Sequence, residues 1–551
     1  MKIVLVAFNA SWTHSCLALY YLRNAVSGLD YEAEIIELTL KQSLNEALEA
    51  IYVSQPDVLC LSVYIWNAGV IKNIIQELRK ILPQVIIVLG GPEVSYNENA
   101  FAEFKPDYLV KGYGELAFRK LAEQGFECND KVIAREFLSL TEIPFPYRAE
   151  DKAQLTGKLL YYEASRGCAC KCIYCLSSRE EKLDWLPLER VKSDLDKLVQ
   201  LKPKVVKFVD RCFNLKRDWA RAIWEYVISL DTDIPFHFEV HPDWLEAEDF
   251  SILSKAPQQR IQFEIGIQSI HPQTLAIIRR PSDWSLVRAN LRLLNEKTVI
   301  ALHVDLIAGL PGEDLPAVQD SINAVLQTQP AELQLGFLKI LKGTEMSEKA
   351  IEWGYKWTEV APYQVLQTPD LPFEEIILLE KISSLINQYW NKGDFATVWT
   401  KVIEWRKPYD CLLELLKLNL DADNQLHSID RVKRFELMSA WIEQDWTGEQ
   451  QTYLSDALRW DWCRKAGEAW FPASLKAEKC LSFRKEHYQE IYEWLKTEYW
   501  QHEDLNLKRF IVFSASSNEF CDDFLLGYTK AAFINRRSGD NACVTLTHPL
   551  C

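Results

Sequence analysis

The run Glu163-Ala-Ser-Arg-Gly-Cys168-Ala-Cys-Lys-Cys172-Ile-Tyr-Cys175 places three thiols at the spacing C-x3-C-x2-C. Three thiolates in one small volume suit a cubane of four irons and leave one iron open to bind and activate a ligand. A cluster that only carries electrons usually takes four cysteines, so the missing ligand points to chemistry. The alternatives are a four-cysteine zinc site or unrelated buried thiols, but zinc is normally held by two separated knuckles rather than one crowded run. Cys170 falls outside the spacing and reads either as a spectator or as an alternative ligand in a damaged cluster. The stretch follows the apolar run Leu159 to Ala164 and then Gly167. It therefore reads as a loop leaving the end of a strand, where parallel barrels place their active sites.

Two sets of alternating strand and helix signals surround this loop. In residues 1 to about 130, β-rich runs occur at Ile3–Phe8, Ala33–Leu38, Val58–Ile65, Val85–Leu89 and Tyr108–Val110, with helical patterns at Leu17–Ala25, Leu44–Tyr52, Val70–Leu82 and Glu115–Gln124. Such alternation predicts an α/β fold with a doubly wound parallel sheet, Rossmann- or flavodoxin-like, with ligands at the carboxyl ends of its strands. Glycines cluster at those ends, in Gly90-Gly91-Pro92-Glu93 and Gly112-Tyr113-Gly114-Glu115, where the lack of a Cβ lets backbone approach a ligand.

The alternation restarts at about 157. Strands are expected at Leu159–Ala164, Val205–Val209, Phe236–Val240, Ile261–Ile267, Ala301–Ile307 and Leu333–Ile340, and helices at Leu188–Leu201, Arg217–Ile228, Asp249–Lys255, Trp284–Glu296 and Leu315–Leu326. Six βα units suggest a partial (β/α)6 barrel whose strands are buried on both faces. Its strand ends carry Asp210, Glu239, Glu264, Gln268, Ser269 and Asp305, and a charge inside a barrel is costly unless it is paired or holds a ligand. Internal ion pairing is the plain alternative for these groups.

The cysteine run resembles the cluster loop of the radical S-adenosylmethionine (SAM) superfamily, in which SAM chelates the open iron. The order of the chain resembles that family's cobalamin-binding branch. Ser62 and Gly90-Gly91 match the second and third parts of the cobalamin pattern Asp-x-His-x-x-Gly, Ser-x-Leu, Gly-Gly. The first part is absent: Asn9-Ala-Ser-Trp-Thr-His14-Ser-Cys16 stands there, as in the subgroup that joins a cobalamin domain to a radical SAM barrel. His14 has the wrong spacing for a cobalt ligand and reads as a helix-start or pocket-lining residue. Phe208-Val-Asp-Arg-Cys-Phe-Asn214 and Phe238-Glu-Val-His241 resemble a branch with a C-terminal domain of unassigned function.

The resemblance implies a 4Fe-4S cluster on Cys168, Cys172 and Cys175, and SAM contacts from Tyr174, Asp210, Glu239, Gln268 and Ser269, with Glu264 and Asp305 further candidates. It implies cobalamin contacts from Ser62, Gly90, Gly91, Pro92, Glu93, Gly112, Tyr113 and Glu115. The expected reaction is methyl transfer to an unactivated carbon through an adenosyl radical and methylcobalamin, with no residue required as nucleophile. The expected partners are a small-molecule or natural-product-like substrate and a reductant such as flavodoxin or ferredoxin. A cobalamin-dependent cyclisation or rearrangement, a radical SAM enzyme whose N-terminal domain binds nothing, and a non-catalytic redox or cobalamin sensor are the alternatives.

The boundaries expected are 1–135 for the cobalamin-like domain, 136–156 for a linker, 157–345 for the barrel and 346–551 for a mostly helical domain. That last part is rich in Leu and Trp, with helical stretches at Phe373–Tyr389, Cys411–Leu418, Arg431–Gln444 and Glu486–Tyr499 and a β-like tail at Phe510–Ala515 and Ala542–Thr547. Most of its tryptophans read as core, and no second cluster run appears there. Pro362–Pro369 reads as a linker crossing back towards the barrel. Apolar runs stay short of membrane-spanning length, and Met1 to Phe8 reads as a first strand rather than a signal peptide. The 14 cysteines are not spaced as a disulfide scaffold, which points to the reducing cytoplasm. A net charge of −16 argues against broad capture of nucleic acid.

Overall fold

The computed structural model describes residues 1–180, 182–421, 425–465, 471–476, 478–499, 505–525, 530–536 and 541–545. The chain divides into two compact units, Met1–Val318 with Gly336–Ile376, and Gln319–Leu335 with Ile377–Cys551.

Among the described residues the first unit contains two large sheets and two short two-stranded ones. Among the described residues the N-terminal one has six strands in the order Glu32–Thr39, Lys2–Asn9, Val58–Ser62, Ile86–Gly90, Tyr108–Val110 and Val132–Ile133, all in parallel pairing. The doubly wound expectation holds, with one strand, Val132–Ile133, beyond those read from the sequence; two residues are too short a run to show a period. Ile3 to Phe8 and Val58 to Ser62 are buried throughout, because helices cover both faces. The order reverses between Lys2–Asn9 and Val58–Ser62, which makes their carboxyl ends the switch point where such sheets bind ligands.

The second sheet runs Ala301–Ala308, Ile261–Gln268, Phe236–Glu239, Val205–Phe208 and Leu159–Tyr162, all paired in parallel. The strand Glu332–Phe337, whose end Gly336-Phe337 belongs to this unit, lies at its edge. The expected six-strand core is present, but its strands are not buried on both faces. Ile261–Gln268 and Ala301–Ala308 alternate strictly between buried and half-exposed residues. Phe208, Phe238, Phe263 and Val304 pack the covered face, with Phe208 stacked on Phe238 at 4.5 Å, while Lys207, Glu264, His303 and Asp305 line the other. That second face is too polar to be filled as a hydrophobic core.

Beyond the sheet, Thr344 caps the helix Glu345–Glu352. The Pro362–Pro369 segment includes the strand Val365–Gln367, paired with Lys356–Trp357, and the Val365 N–H donates to the Leu338 carbonyl.

The second unit is mostly helical, as expected. Its described helices include Ala396–Trp405, Pro408–Asn419, Arg431–Asp445, Gly448–Lys465 and Glu478–Tyr499. Trp441, Trp460, Trp462 and Tyr453 are buried in it, which bears out the core reading for these aromatics. Asp461 accepts the N–H groups of Thr397 and Val398, so one helix caps the start of another. The β-tail is a three-stranded antiparallel sheet, Leu505–Ser514, Lys530–Arg536 and Ala542–Thr545; its middle strand went unread, and residues 546 and 547 lie outside the described residues, as do Trp470 and Trp500. No described helix is long and apolar enough to cross a membrane.

Candidate functional site

The cluster loop begins where the strand Leu159–Tyr162 ends. Gly167 allows the turn: its φ is +95°, and a Cβ there would strike the Lys182 carbonyl. Asp210, at the end of the neighbouring strand, is fully buried and accepts the Ala164 N–H at 3.0 Å, so it fixes the base of the loop. Burial pushes its carboxyl up to about 7, against the pull of Ser165 and the Ala164 N–H, and its Oδ1 has no hydrogen-bond partner.

Cys168 and Cys172 are buried and Cys175 is half-buried. The structure gathers Cys168 Sγ with two thiols outside the C-x3-C-x2-C spacing, Cys170 and Cys212, all within 4.8 Å of one another. The Cys172 thiol lies 3.9 Å from the Arg280 guanidinium, which also donates to the Gly266 carbonyl at 2.6 Å. Half-buried Tyr174 is adjacent, and burial followed by the Cys172 thiol raises its hydroxyl well above the ordinary value. Arg280 was not singled out in the sequence, because a basic residue after a helix carries no spacing signal of its own.

The other expected SAM contacts fall on the open face and carboxyl ends of the second sheet. Glu239 pairs with Arg211 at 3.0 Å. Gln268 adopts φ +69°, and its Oε1 is buried without a hydrogen-bond partner. A Cβ at Gly266 would stand 2.2 Å from the Gln268 amide nitrogen, so the amide lies directly against the glycine. Ser269 donates to Glu313, whose carboxyl burial raises to about 7 despite that bond. Burial works to raise Glu264, but a hydrogen bond to His237 at 2.9 Å and the Lys207 ammonium at 2.7 Å outweigh it and hold it at about 2. Asp305 is raised to about 7, by burial first and then by Glu264 and Glu239. Ion pairing inside the barrel thus accounts for Glu239 and Glu264, and leaves Gln268 and Asp210 with unused buried oxygens suited to an incoming ligand.

At the carboxyl edge of the first sheet, Gly91 has φ +115°, and a Cβ there would stand 2.5 Å from the Val63 carbonyl oxygen. Gly112, at φ +70°, leaves no room for a Cβ against Arg135. Ser95 joins the two glycine loops, donating to the Gly91 carbonyl at 2.9 Å and accepting the Gly112 N–H at 2.8 Å. Pro92 starts the short helix Pro92–Tyr96, and buried Glu93 bonds Tyr363 and Asn97. Ser62 is buried, 3.7 Å from the Cys16 thiol. Exposed Trp12 and Trp66 follow the first and third strands here, Trp66 stacked on Tyr64 at 4.3 Å. Both went unremarked in the sequence, because exposure is what sets them apart and a linear pattern does not record it.

Side chains tie the two sheets together. Arg166 of the cluster loop pairs with Glu163 at 2.7 Å and Glu115 at 2.9 Å, and stacks on Tyr113 at 3.9 Å. His14 Nδ1 lies 2.9 Å from the Tyr161 hydroxyl, and the Thr13 carbonyl accepts the Leu159 N–H. His14, Tyr113 and Glu115 therefore bridge the cobalamin-type edge and the barrel.

Known protein families match the chain over three stretches. Residues 3–122 match the B12 binding domain, residues 162–325 the radical SAM superfamily, and residues 351–519 a protein family of unknown function, DUF4080. Over 380 residues, 60% of this chain and 54% of the relative, it is 24% identical to the cobalamin-dependent radical SAM methyltransferase TokK of Streptomyces tokunonensis. It is also 24% identical, over 59% of its own length and 53% of the relative's, to the 2-(S-pantetheinyl)-carbapenam-3-carboxylate methyltransferase of Streptantibioticus cattleyicolor. The chain thus spans about half the length of these curated relatives. Among solved structures, the cobalamin-dependent SAM radical enzyme OxsB, with aqua-cobalamin and SAM bound, superposes with a TM-score of 0.57 at 14% identity, over 89% of this chain and 81% of that one. The radical SAM methyltransferase TsrM of Kitasatospora setae, with cobalamin and a [4Fe-4S] cluster bound, gives 0.53 at 18% identity, over 66% and 76%. These two superpositions establish a shared fold.

Proposed function

Because the chain joins a B12-binding domain to a radical SAM domain, and so belongs to the cobalamin-binding radical SAM family, we propose that it is a methyltransferase acting on an unactivated carbon of a small molecule. The carrying observation is the C-x3-C-x2-C loop, set at a strand end of the polar-faced sheet and bonded through Arg166 to the glycine-rich edge of the other sheet. When bound, a four-iron cluster with SAM supplies a hydrogen-abstracting radical and cobalamin supplies the methyl group.

The division of labour we propose uses the boundaries read from the sequence, with 1–135 for cobalamin, 157–345 for cluster and SAM, and 346–551 as a further, mostly helical domain. Cys168, Cys172 and Cys175 hold the cluster. Gln268 and Arg280 offer SAM an orphaned acceptor and a cation, with Tyr174 beside them and Glu239, Ser269 and Asp305 along the same strands. Asp210 holds the cluster loop in place from beneath. Gly91 and Gly112 let backbone lie against cobalamin, with Ser62, Gly90, Pro92 and Glu93 shaping the same edge and Tyr113 and Glu115 locking it to the cluster loop. Thirteen free thiols among the described residues suit a reducing cytoplasm, where flavodoxin or ferredoxin would deliver the electron.

The test is to express the chain with cobalamin supplied, purify it without oxygen, and measure corrinoid per chain and 5′-deoxyadenosine formed from SAM. Near-stoichiometric corrinoid together with SAM cleavage is expected. A normal cluster with no corrinoid defeats the two-cofactor reading.

A further inference from the structure

We propose that Cys168, Cys170 and Cys212 form a single-ion thiolate site for zinc or ferrous iron in the cluster-free chain, and that this ion competes with the cluster for Cys168. The three sulfurs lie within 4.8 Å of one another, and Cys170 and Cys212 are 3.6 Å apart. Around one tetrahedral ion, with metal–sulfur bonds of about 2.3 Å, thiolates stand about 3.8 Å apart. A cubane places each thiolate on a different iron and spreads the sulfurs further. The gathered set therefore has the dimensions of one ion.

Two of the three donors have no place in the cluster spacing. Cys170 lies inside the loop but off the motif. Cys212 comes from a different segment, two residues past Asp210, beyond the strand Val205–Phe208. Its φ of +50° is left-handed, a region rarely used by residues other than glycine, and here it belongs to the residue whose thiol meets the other two. Three thiolates leave a fourth position for water, which suits a soft divalent ion that enters and leaves. Binding forms three metal–sulfur bonds and releases the thiol protons to solvent, with no change of oxidation state. Cys168 cannot serve the ion and the cluster together, so each species excludes the other; this last point rests on the cluster reading above.

The test uses the full chain, cluster-free and reduced, titrated anaerobically with Co²⁺ as the probe. One equivalent should bind, with a thiolate-to-cobalt charge-transfer band and the strong visible absorption of tetrahedral cobalt. Cys170→Ser and Cys212→Ser should each weaken binding at least about tenfold, whereas Cys172→Ser and Cys175→Ser should leave the spectrum intact. Displacement by Zn²⁺ or Fe²⁺ ranks the natural ions. Zinc preloading should slow four-iron uptake by the parent, and Cys212→Ser should take up its cluster at the same rate with or without zinc. The proposal is overturned if no stoichiometric cobalt binds, if the Cys172 and Cys175 variants lose the spectrum while the Cys170 and Cys212 variants keep it, or if all four lose it alike. Four-iron uptake by Cys170→Ser and Cys212→Ser reports on the cluster reading separately, so each idea can fail alone.

Discussion

The first unit holds two parallel sheets of similar size, and they use their faces in opposite ways. In the N-terminal sheet Ile3 to Phe8 and Val58 to Ser62 are buried from end to end, and helices cover both faces. The only polar side chain in those two runs, Ser62, stands at a carboxyl end, beside Gly91, Gly112 and the loop carrying Trp12. In the second sheet only one face is packed. The other carries Lys207, Glu264, His303 and Asp305 at alternate positions, leaving a polar wall along which a ligand can lie. A saturated sheet therefore offers an edge for a flat cofactor, and a half-open one offers a face for a reaction.

The sharpest way to break this comparison is to remove the cluster. Replacing Cys168, Cys172 and Cys175 by Ala should abolish cluster iron and 5′-deoxyadenosine formation while corrinoid per chain stays near the parental level. Loss of corrinoid along with the iron would show that the first sheet's edge is not an independent site.

Next comes the edge itself. Gly91→Val forces a Cβ against the Val63 carbonyl at a φ of +115°, a strain of about 1–3 kcal/mol. Corrinoid retention should collapse while the iron content of the purified protein is unchanged. Equal corrinoid in parent and variant would remove Gly91 from the site.

A paired substitution sharpens the contrast between the faces. Leu61→Ala, in the saturated sheet, should cost about 2–5 kcal/mol in denaturant unfolding and leave the turnover of the folded fraction alone. Gln268→Ala, at the end of the polar wall, removes a buried oxygen with no partner in the fold and should move the unfolding midpoint little yet slow SAM cleavage roughly 10–100-fold. If both variants change only stability, the polar wall is structural ion pairing and nothing more.

The smallest effect is a pH dependence. Burial raises Asp210, Asp305 and Glu313 to about 7. Each binds its proton more tightly folded than unfolded, so its contribution to stability is greatest below the ordinary carboxyl value and is lost as pH rises towards 7. The Tm of the cofactor-free protein should fall between pH 5 and 7.5, and Asp305→Asn should remove about 1–3 °C of that fall. A Tm that rises with pH over this window would contradict the raised values.

Much of this was legible in the chain. The strand Tyr108–Val110 and the helix Leu17–Ala25 were read with their observed ends, because a β-rich apolar run leading into a glycine loop and a helical period are both local signals. Strand Val132–Ile133 escaped for want of length. The middle tail strand, Lys530–Arg536, is set by pairing with both of its neighbours, which a linear reading does not see. The barrel strands were read as buried on both faces because their apolar half was taken for the whole; Lys207, Glu264, His303 and Asp305 recur at period two on one side.

By itself the sequence determined the three-cysteine spacing, the glycines after the strands and the order of domain types, since each depends on residue type and near-neighbour distance. The tertiary structure alone decided that Cys212 joins Cys168 and Cys170, that Arg280 faces Cys172, and that Arg166 bridges to Glu115 and Tyr113. Those contacts join residues about 40 to 110 positions apart. Strand order and loop geometry bring them together, and no local pattern of side chains encodes that order.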